Sequence, residues 1–358
     1  MHRLSRFKLV SLVAIFCLYP AWLLLAGQPP EFPAGPAGRG NFAFNLENDV
    51  WLNQDGGYTN GLAFSWVSPR LNKESKSAWL RFLYRANTRL LGNANKTENP
   101  NRLKSEDLDQ RWAIVSLAQG MFTPTDLTEA ELISDDRPYA GLLYAGLTLV
   151  RNTGREQTIW GAGLGVVGPL SLAEATQKWL HETYDWTDPQ GWRNQLKNEP
   201  VVDIWFNRFW TLVGPERGEW GWHPAVKAGV GGQLGNLRTS AETIIDFRFG
   251  LNLQPENEAV YSAPLFGQSP LTGVKKTSVY GFCRLSGQAL ARNLLIEGNT
   301  LASSPGQSLH HLYGQLTSGL VYQSEQAALT FYAVVRTKEF KSQKYFDPYL
   351  GLSLSIAL

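Results

Sequence analysis

Cysteine is almost absent from this chain: of its two cysteines, Cys17 lies in the first segment and Cys283 stands alone in the remainder. A disulfide framework within the body of the protein is therefore excluded, and so is a cysteine-built zinc site. Histidine is scarce as well, with His181, His223, His310 and His311 the only ones beyond the first segment. No G-x-S-x-G element and no H-E-x-x-H element occurs, which removes the usual signatures of serine hydrolases and zinc proteases. Charge of one sign is also missing: 33 basic against 31 acidic residues leave a net charge of +2, no basis for a nucleic-acid partner. Finally, no apolar run long enough for a membrane helix recurs after the first segment.

That first segment, residues 1–27, reads as a secretory signal. Basic Arg3, Arg6 and Lys8 precede an apolar stretch from Leu9 to Ala26. Residues 28–40 are rich in Pro and Gly and read as a flexible leader. Residues 41–358 then form one domain. Its apolar residues alternate with polar ones, so that 43% hydrophobic content coexists with a mean hydropathy of −0.22. In Tyr349 to Leu358, for example, Leu350, Leu352, Leu354 and Ile356 alternate with Gly351, Ser353, Ser355 and Ala357. Period-two strands of this kind fit lipid on one side and a lumen on the other, and only a closed barrel satisfies their backbone groups in a membrane.

Comparable runs cover Phe42–Leu52, Gly61–Pro69, Trp112–Ala118, Leu142–Val150, Thr158–Val167 and Val201–Val213. Others cover Trp222–Gly232, Thr243–Leu253, Ser278–Gly287, Leu312–Tyr322 and Leu329–Val335. With the terminal run they predict an all-β, closed antiparallel transmembrane barrel of about 12 strands. The 13 Trp, 13 Tyr and 17 Phe suit the aromatic girdles of such a barrel. The visible lumen faces, mostly Gly, Ala, Ser and Thr, suggest a filled barrel rather than a pore.

Two stretches interrupt the alternation. Residues 71–110, rich in Asn, Lys, Arg and Glu, read as an extracellular loop. In the second, Ser171 and Glu174 form a capping-box pattern that predicts a loop helix near residues 171–188, stopped by Asp188 to Gly191. His181 falls on that helix.

Alternation in the first strand places Asn48 on the lipid side with Phe42, Phe44 and Leu46, whereas Asn45, Glu47 and Asp49 take the other face. An outward amide is costly unless a loop covers it. Adjacent amide and carboxylate oxygens suit a hard cation such as calcium, although Asn48 and Asp49 equally begin a turn toward Gly57. Thr59 and Asn60 return to the same rim and complete a polar cluster. Arg137, in Asp136 to Gly141, either holds an anionic ligand or a carboxylate, or marks a structural corner fixed by Pro138.

Glu47-Asn-Asp49, Gly57-Tyr-Thr-Asn-Gly61, Asp136-Arg-Pro-Tyr-Ala-Gly141, Gly165-Val-Val-Gly-Pro169, His181, Gly191 to Glu199 and Ala291 to Thr300 together resemble the outer-membrane lipid A 3'-O-deacylases of Gram-negative bacteria. The resemblance implies a twelve-stranded barrel whose active site lies between the outer wall and a loop helix. It implies His181 as general base on a water that attacks the 3'-linked acyloxyacyl ester. Asn48 and Thr59 would complete the catalytic set, and Asn48 with Asp49 would hold calcium, the cofactor that stabilises the oxyanion. Substrate contacts fall to Arg137 and Asn60, and the partners are lipid A or lipopolysaccharide and outer-membrane lipids. One family member carries a glutamate six residues after the histidine; Thr187 stands there in this chain, between Asp185 and Asp188. Two other readings remain open: a calcium-dependent esterase for another outer-membrane lipid, and a non-enzymatic barrel.

Overall fold

A computed structural model describes residues 40–49, 57–92, 109–153, 155–216, 219–253, 260–263, 266–269 and 276–358. The expected signal segment and all of the expected leader except Gly40 lie outside these residues.

Among the described residues, period-two alternation becomes a closed antiparallel barrel of twelve strands. Its first half comprises β1 (Asn41–Asn48), β2 (Gly57–Val67), β3 (Gln110–Thr123), β4 (Ala140–Asn152), β5 (Glu156–Val167) and β6 (Glu199–Val213). The second half comprises β7 (Trp222–Gly235), β8 (Arg238–Leu251), β11 (Ser278–Asn293), β12 (Leu312–Gln323), β13 (Ala327–Arg336) and β14 (Asp347–Ala357). The short strands β9 (Val260–Ala263) and β10 (Phe266–Ser269) pair with each other outside the closed ring. Pairing of β1 with β14, from Asn41 opposite Ala357 to Asn48 opposite Leu350, closes the ring. All twelve expected runs contain barrel strands, with ends that differ by a few residues; residues 50–52 of the first run lie outside the described residues.

The outer wall carries the exposed apolar set, including Phe42, Phe64, Leu117 and Leu164. The lumen is filled, as expected, but its filling is not mainly small residues. Glu47 accepts hydrogen bonds from the hydroxyls of Tyr58 and Tyr332, each at 2.6 Å. Asp246 lies between Arg248 (2.6 Å) and Arg284 (2.7 Å). The small residues seen in the sequence are seats for these large ones. A Cβ on Gly163 would stand 2.3 Å from the Tyr144 hydroxyl, and one on Gly351 would stand 2.1 Å from the Tyr332 ring. Charge in the lumen is thus paired and bridged rather than arranged along a channel.

The Arg248–Asp246–Arg284 cluster yields a stability prediction. Removing Asp246 leaves two buried guanidiniums without their counter-charge, which costs about 3–5 kcal/mol. Asp246→Ala is expected to shift the urea unfolding midpoint of the detergent-folded barrel down accordingly, and an unchanged midpoint would contradict the pairing.

Residues 71–110, expected as one extracellular loop, are described at 71–92 and 109–110, and strand parity separates them from the β5–β6 connection. In an antiparallel ring successive connections alternate between the two ends, so the β2–β3 and β5–β6 connections lie at opposite ends. The β2–β3 connection shares its end with the start of β1 and the end of β14, where the Leu358 amide bonds the Gly40 carbonyl at 2.9 Å. It is also not all loop: Ala78–Leu91 form helix α1, which lies against the outer wall. Leu83 and Leu91 pack with Leu71 and the outward-facing Ala113 and Leu149. Asn87, fully buried, donates to the Trp112 and Val150 carbonyls and accepts from Arg111 at 2.8 Å. Arg111 and Arg151 bond the Gly92 and Leu91 carbonyls, closing the otherwise open C-terminal end of α1.

Candidate active site on the outer wall

The β5–β6 connection carries helix α2 (Ala173–Tyr184), inside the expected range but started differently. Ser171 ends a 3-10 turn over Pro169–Ser171, and its hydroxyl donates to the Gly168 carbonyl at 2.6 Å. Leu172, left-handed at φ 61°, is the N-cap, and no side chain caps the helix. Glu174 instead holds Lys178 at 2.8 Å and accepts from Gln195 at 3.2 Å. The capping box is therefore not formed, because the tight turn after Gly168 has already engaged the serine. The helix also stops earlier than expected, at left-handed Asp185, where the Trp186 amide bonds the His181 carbonyl at 2.9 Å.

Ala173, Gln177 and His181 are the buried residues of α2, and their spacing of four puts them on one stripe. The stripe rests on the barrel. Gly141 faces outward on β4, and a Cβ there would come within 2.1 Å of Ser171 Oγ and 2.4 Å of Ala173 Cβ. The glycine is what allows the helix to start in contact with the wall. Gln119 Nε2 on β3 adds a bond to the Ser171 carbonyl at 2.7 Å. Met121, Leu127, Tyr139, Ala173 and Trp192 form a buried cluster around this contact. Trp192 Nε1 donates to Gln177 Oε1 at 2.7 Å and holds the middle of the stripe.

Strand register extends this contact across the wall. Gly141 pairs with Met121, Met121 with Asn60, and Asn60 with Asn48, one row over four strands. On β1 and β2 the residues below it on the same face are Leu46, Leu62, Phe44 and Phe64, the lipid-facing set. Asn48 therefore projects outward, as alternation predicts, yet it is only 7% exposed. Asn60 is buried too, and its Oδ1 has no hydrogen-bond partner among the described residues. Asp49, fully buried, follows directly, and its amide meets the Thr59 carbonyl at 3.5 Å.

Thr59 reaches this face through a feature that alternation hides. The β2–β3 register shifts between Tyr58 and Asn60, so Thr59 is the extra residue of a bulge. Tyr58 points inward to Glu47, whereas the Thr59 hydroxyl pairs at 2.6 Å with that of Thr123, which shares the outer face of β3 with Leu117 and Gln119. Thr59 and Asn60 consequently lie side by side on the outer wall. The wall strands thus bring together Asn48, Thr59 and Asn60, with Asp49 at the end of β1.

His181 is 3% exposed. Its Nδ1 is hydrogen-bonded to the Thr187 carbonyl, and its ring stands edge-on to Trp186 at 5.5 Å and 89°. A carbonyl only accepts, so Nδ1 carries a proton, and the tautomer this selects has its lone pair on Nε2. The backbone of Thr187, and not an acidic side chain at that position, orients the ring. Trp192, Gln177, Met121 and Gly141 were not named as site residues from the sequence, although Gly141 and Trp192 stand in segments quoted there; Met121 and Gly141 become visible once their strands are aligned on the row of Asn48.

Arg137 lies elsewhere. Its guanidinium stands 4.9 Å over the inward-facing Phe122 ring and 3.8 Å from Asp347. It lines a cavity of about 660 Å³ at the loop end of the barrel, together with Asp126, Asp135 and Asp136, and its Nε has no hydrogen-bond partner among the described residues. Hydrogen bonds from the Thr128 hydroxyl and amide hold the Asp126 carboxyl below its ordinary range.

No group of three or more His, Cys, Asp or Glu side chains converges on a metal position among the described residues. The polar groups that register places together on the outer wall are amide and hydroxyl ones, from Asn48, Asn60 and Thr59, and Asp49 follows Asn48 in the chain. They are hard donors, and the unpartnered Asn60 Oδ1 is compatible with a hard cation.

A family model described as "Outer membrane protein LpxR" matches residues 9–358. Among solved structures, LpxR from Salmonella typhimurium superposes with a TM-score of 0.66 at 14% identity, covering 89% of this chain and 100% of that one. The β domain of the Bordetella autotransporter Brka follows with a TM-score of 0.42 at 8% identity, covering 90% and 100%. Among curated protein sequences none matches the chain.

Proposed function

Because the chain belongs to the LpxR family of outer-membrane proteins, we propose that it is a lipid A 3'-O-deacylase that works on the outer surface of its barrel. One observation carries this reading. Polar residues occupy a row of the wall that should face lipid, and a helix with a histidine on its buried stripe lies against the neighbouring strands β3 and β4. Buried polar groups at such a place are costly unless they have a use, and a lipid ester arriving from the membrane reaches them without entering the barrel.

The chemistry assigned to the chain is hydrolysis of the 3'-linked acyloxyacyl ester. His181 Nε2 takes a proton from water as the water attacks the ester carbonyl, and returns it to the leaving oxygen. The Thr187 carbonyl keeps the ring in the required tautomer. Run along the row toward Asn48, α2 is long enough to bring His181 over the polar cluster. The histidine lies eight residues along the stripe from Ala173, about 12 Å at 1.5 Å per residue. The row from Gly141 to Asn48 spans three strand spacings, about 14 Å. Asn48, Asn60 and the Thr59 hydroxyl orient the carbonyl, with Asn60 as a substrate contact. Arg137, at the mouth cavity, would meet an anionic group of the substrate head.

Calcium, when bound, would supply positive charge to the developing oxyanion. Asn48 and Asp49 would hold it, and Asn60 lies close enough in register to contribute. The purified protein is therefore expected to release 3'-acyl chains from lipid A in calcium and to stop in chelator. Asn48→Leu should need at least about tenfold more calcium for half-maximal release. Release that is indifferent to chelator would remove calcium from the account; no release under any condition would remove the substrate.

A further inference from the structure

We infer that α1 is a membrane-surface helix that seats an apolar stripe in the lipid around the barrel and binds anionic phospholipid head groups through Arg85 and Arg89. At about 100° per residue the helix sorts into three stripes. Leu83, Asn87 and Leu91 face the barrel and are buried. Trp79, Phe82, Ala86 and Leu90, spaced by three or four, form a second stripe, on which Trp79, Phe82 and Leu90 are 50%, 56% and 49% exposed. Arg81, Arg85 and Arg89 form the third.

The second stripe is contiguous with a surface already assigned to lipid, because the first rests on outward-facing Ala113 and Leu149 of the wall. Trp79 and Phe82 stack at 5.5 Å, the wide aromatic pairing suited to the head-group boundary. Charge points the same way: α1 contains no acidic residue, and Glu74 is the one acid in residues 71–92, against Lys73, Lys76 and the three arginines. Arg81 spends its guanidinium on the Ser75 and Lys76 carbonyls at 2.7 Å. Arg85 and Arg89 are exposed, on the side away from the barrel. Guanidinium groups grip phosphate in two-point contacts, and an apolar stripe beside a basic one is the pattern of a helix lying in the interface.

The test uses full-length protein with both cysteines replaced by serine and a nitroxide on Leu90→Cys or, separately, Arg85→Cys. It is reconstituted in phosphatidylcholine vesicles containing phosphatidylglycerol. The label at 90 should show an oxygen-to-nickel-chelate accessibility ratio several-fold above that at 85. Equal ratios would overturn the lipid seating, and so would a label at 90 shielded from both reagents, which would indicate a protein cover. In detergent, native mass spectrometry of Arg85→Gln/Arg89→Gln should show several-fold less retained phosphatidylglycerol than wild type, with phosphatidylcholine unchanged. Equal retention would overturn the head-group contact.

Discussion

Replacing His181 by glutamine is expected to lower 3'-deacylation of lipid A by roughly 10²–10⁴-fold, the range a positioned acid–base group contributes. Glutamine retains a donor for the Thr187 carbonyl, so the local fold of α2 survives while the basic lone pair on Nε2 is lost. The barrel does not use this side chain, because His181 belongs to a connection and the strands close without it. Heat-modifiable migration on gels should therefore be unchanged. Activity within about threefold of wild type would remove the histidine from the mechanism and leave the barrel untouched.

Gly141→Val is expected to be almost as damaging, for a different reason. Valine suits a lipid-facing strand position and leaves the β4 pairing intact. Its Cβ, however, would fall where Ser171 Oγ and Ala173 Cβ already are, at 2.1 and 2.4 Å. Ala173 has no flexible end to swing away, so the start of α2 must lift. His181, two turns along the same buried stripe, moves with it. Misplacement by about 1 Å is enough for roughly 10²-fold loss. A folded, heat-modifiable barrel with strongly reduced deacylation is the expected combination; Gly141→Ala should fall between the two. Full activity in the valine variant would mean that the docking of α2 on Gly141 does not position the site.

Much of this was legible before the fold was known. All twelve strands follow from alternation, because a wall with lipid on one side and a packed lumen on the other imposes period two on nearly every residue. The outward direction of Asn48 follows from the same rule. Thr59 was named as a site residue, but not how it gets there. A bulge adds one residue to β2, and nothing local in Tyr58-Thr-Asn60 distinguishes it from regular strand. The lumen is filled, as expected, but its large residues went unseen because its glycines were visible as small residues, whereas the rings they accommodate come from neighbouring strands, as with Gly351 and Tyr332. Ser171 with Glu174 matched a capping box, but the turn after Gly168 had already engaged the serine hydroxyl. Helix α1 was hidden by composition: its arginines and asparagine suggested loop, although the four-residue spacing of Leu83, Asn87 and Leu91 was there to be found.

The central claim is that the outer wall beneath α2 is a catalytic surface for lipid A. The most direct test is mass spectrometry of lipid A from Gram-negative cells with unmodified lipid A, expressing wild type, His181→Gln or no protein. Loss of the mass of the 3'-acyloxyacyl group with wild type alone is the predicted result. Lipid A unchanged by correctly assembled wild-type protein, or equally shortened by the His181 variant, would contradict it.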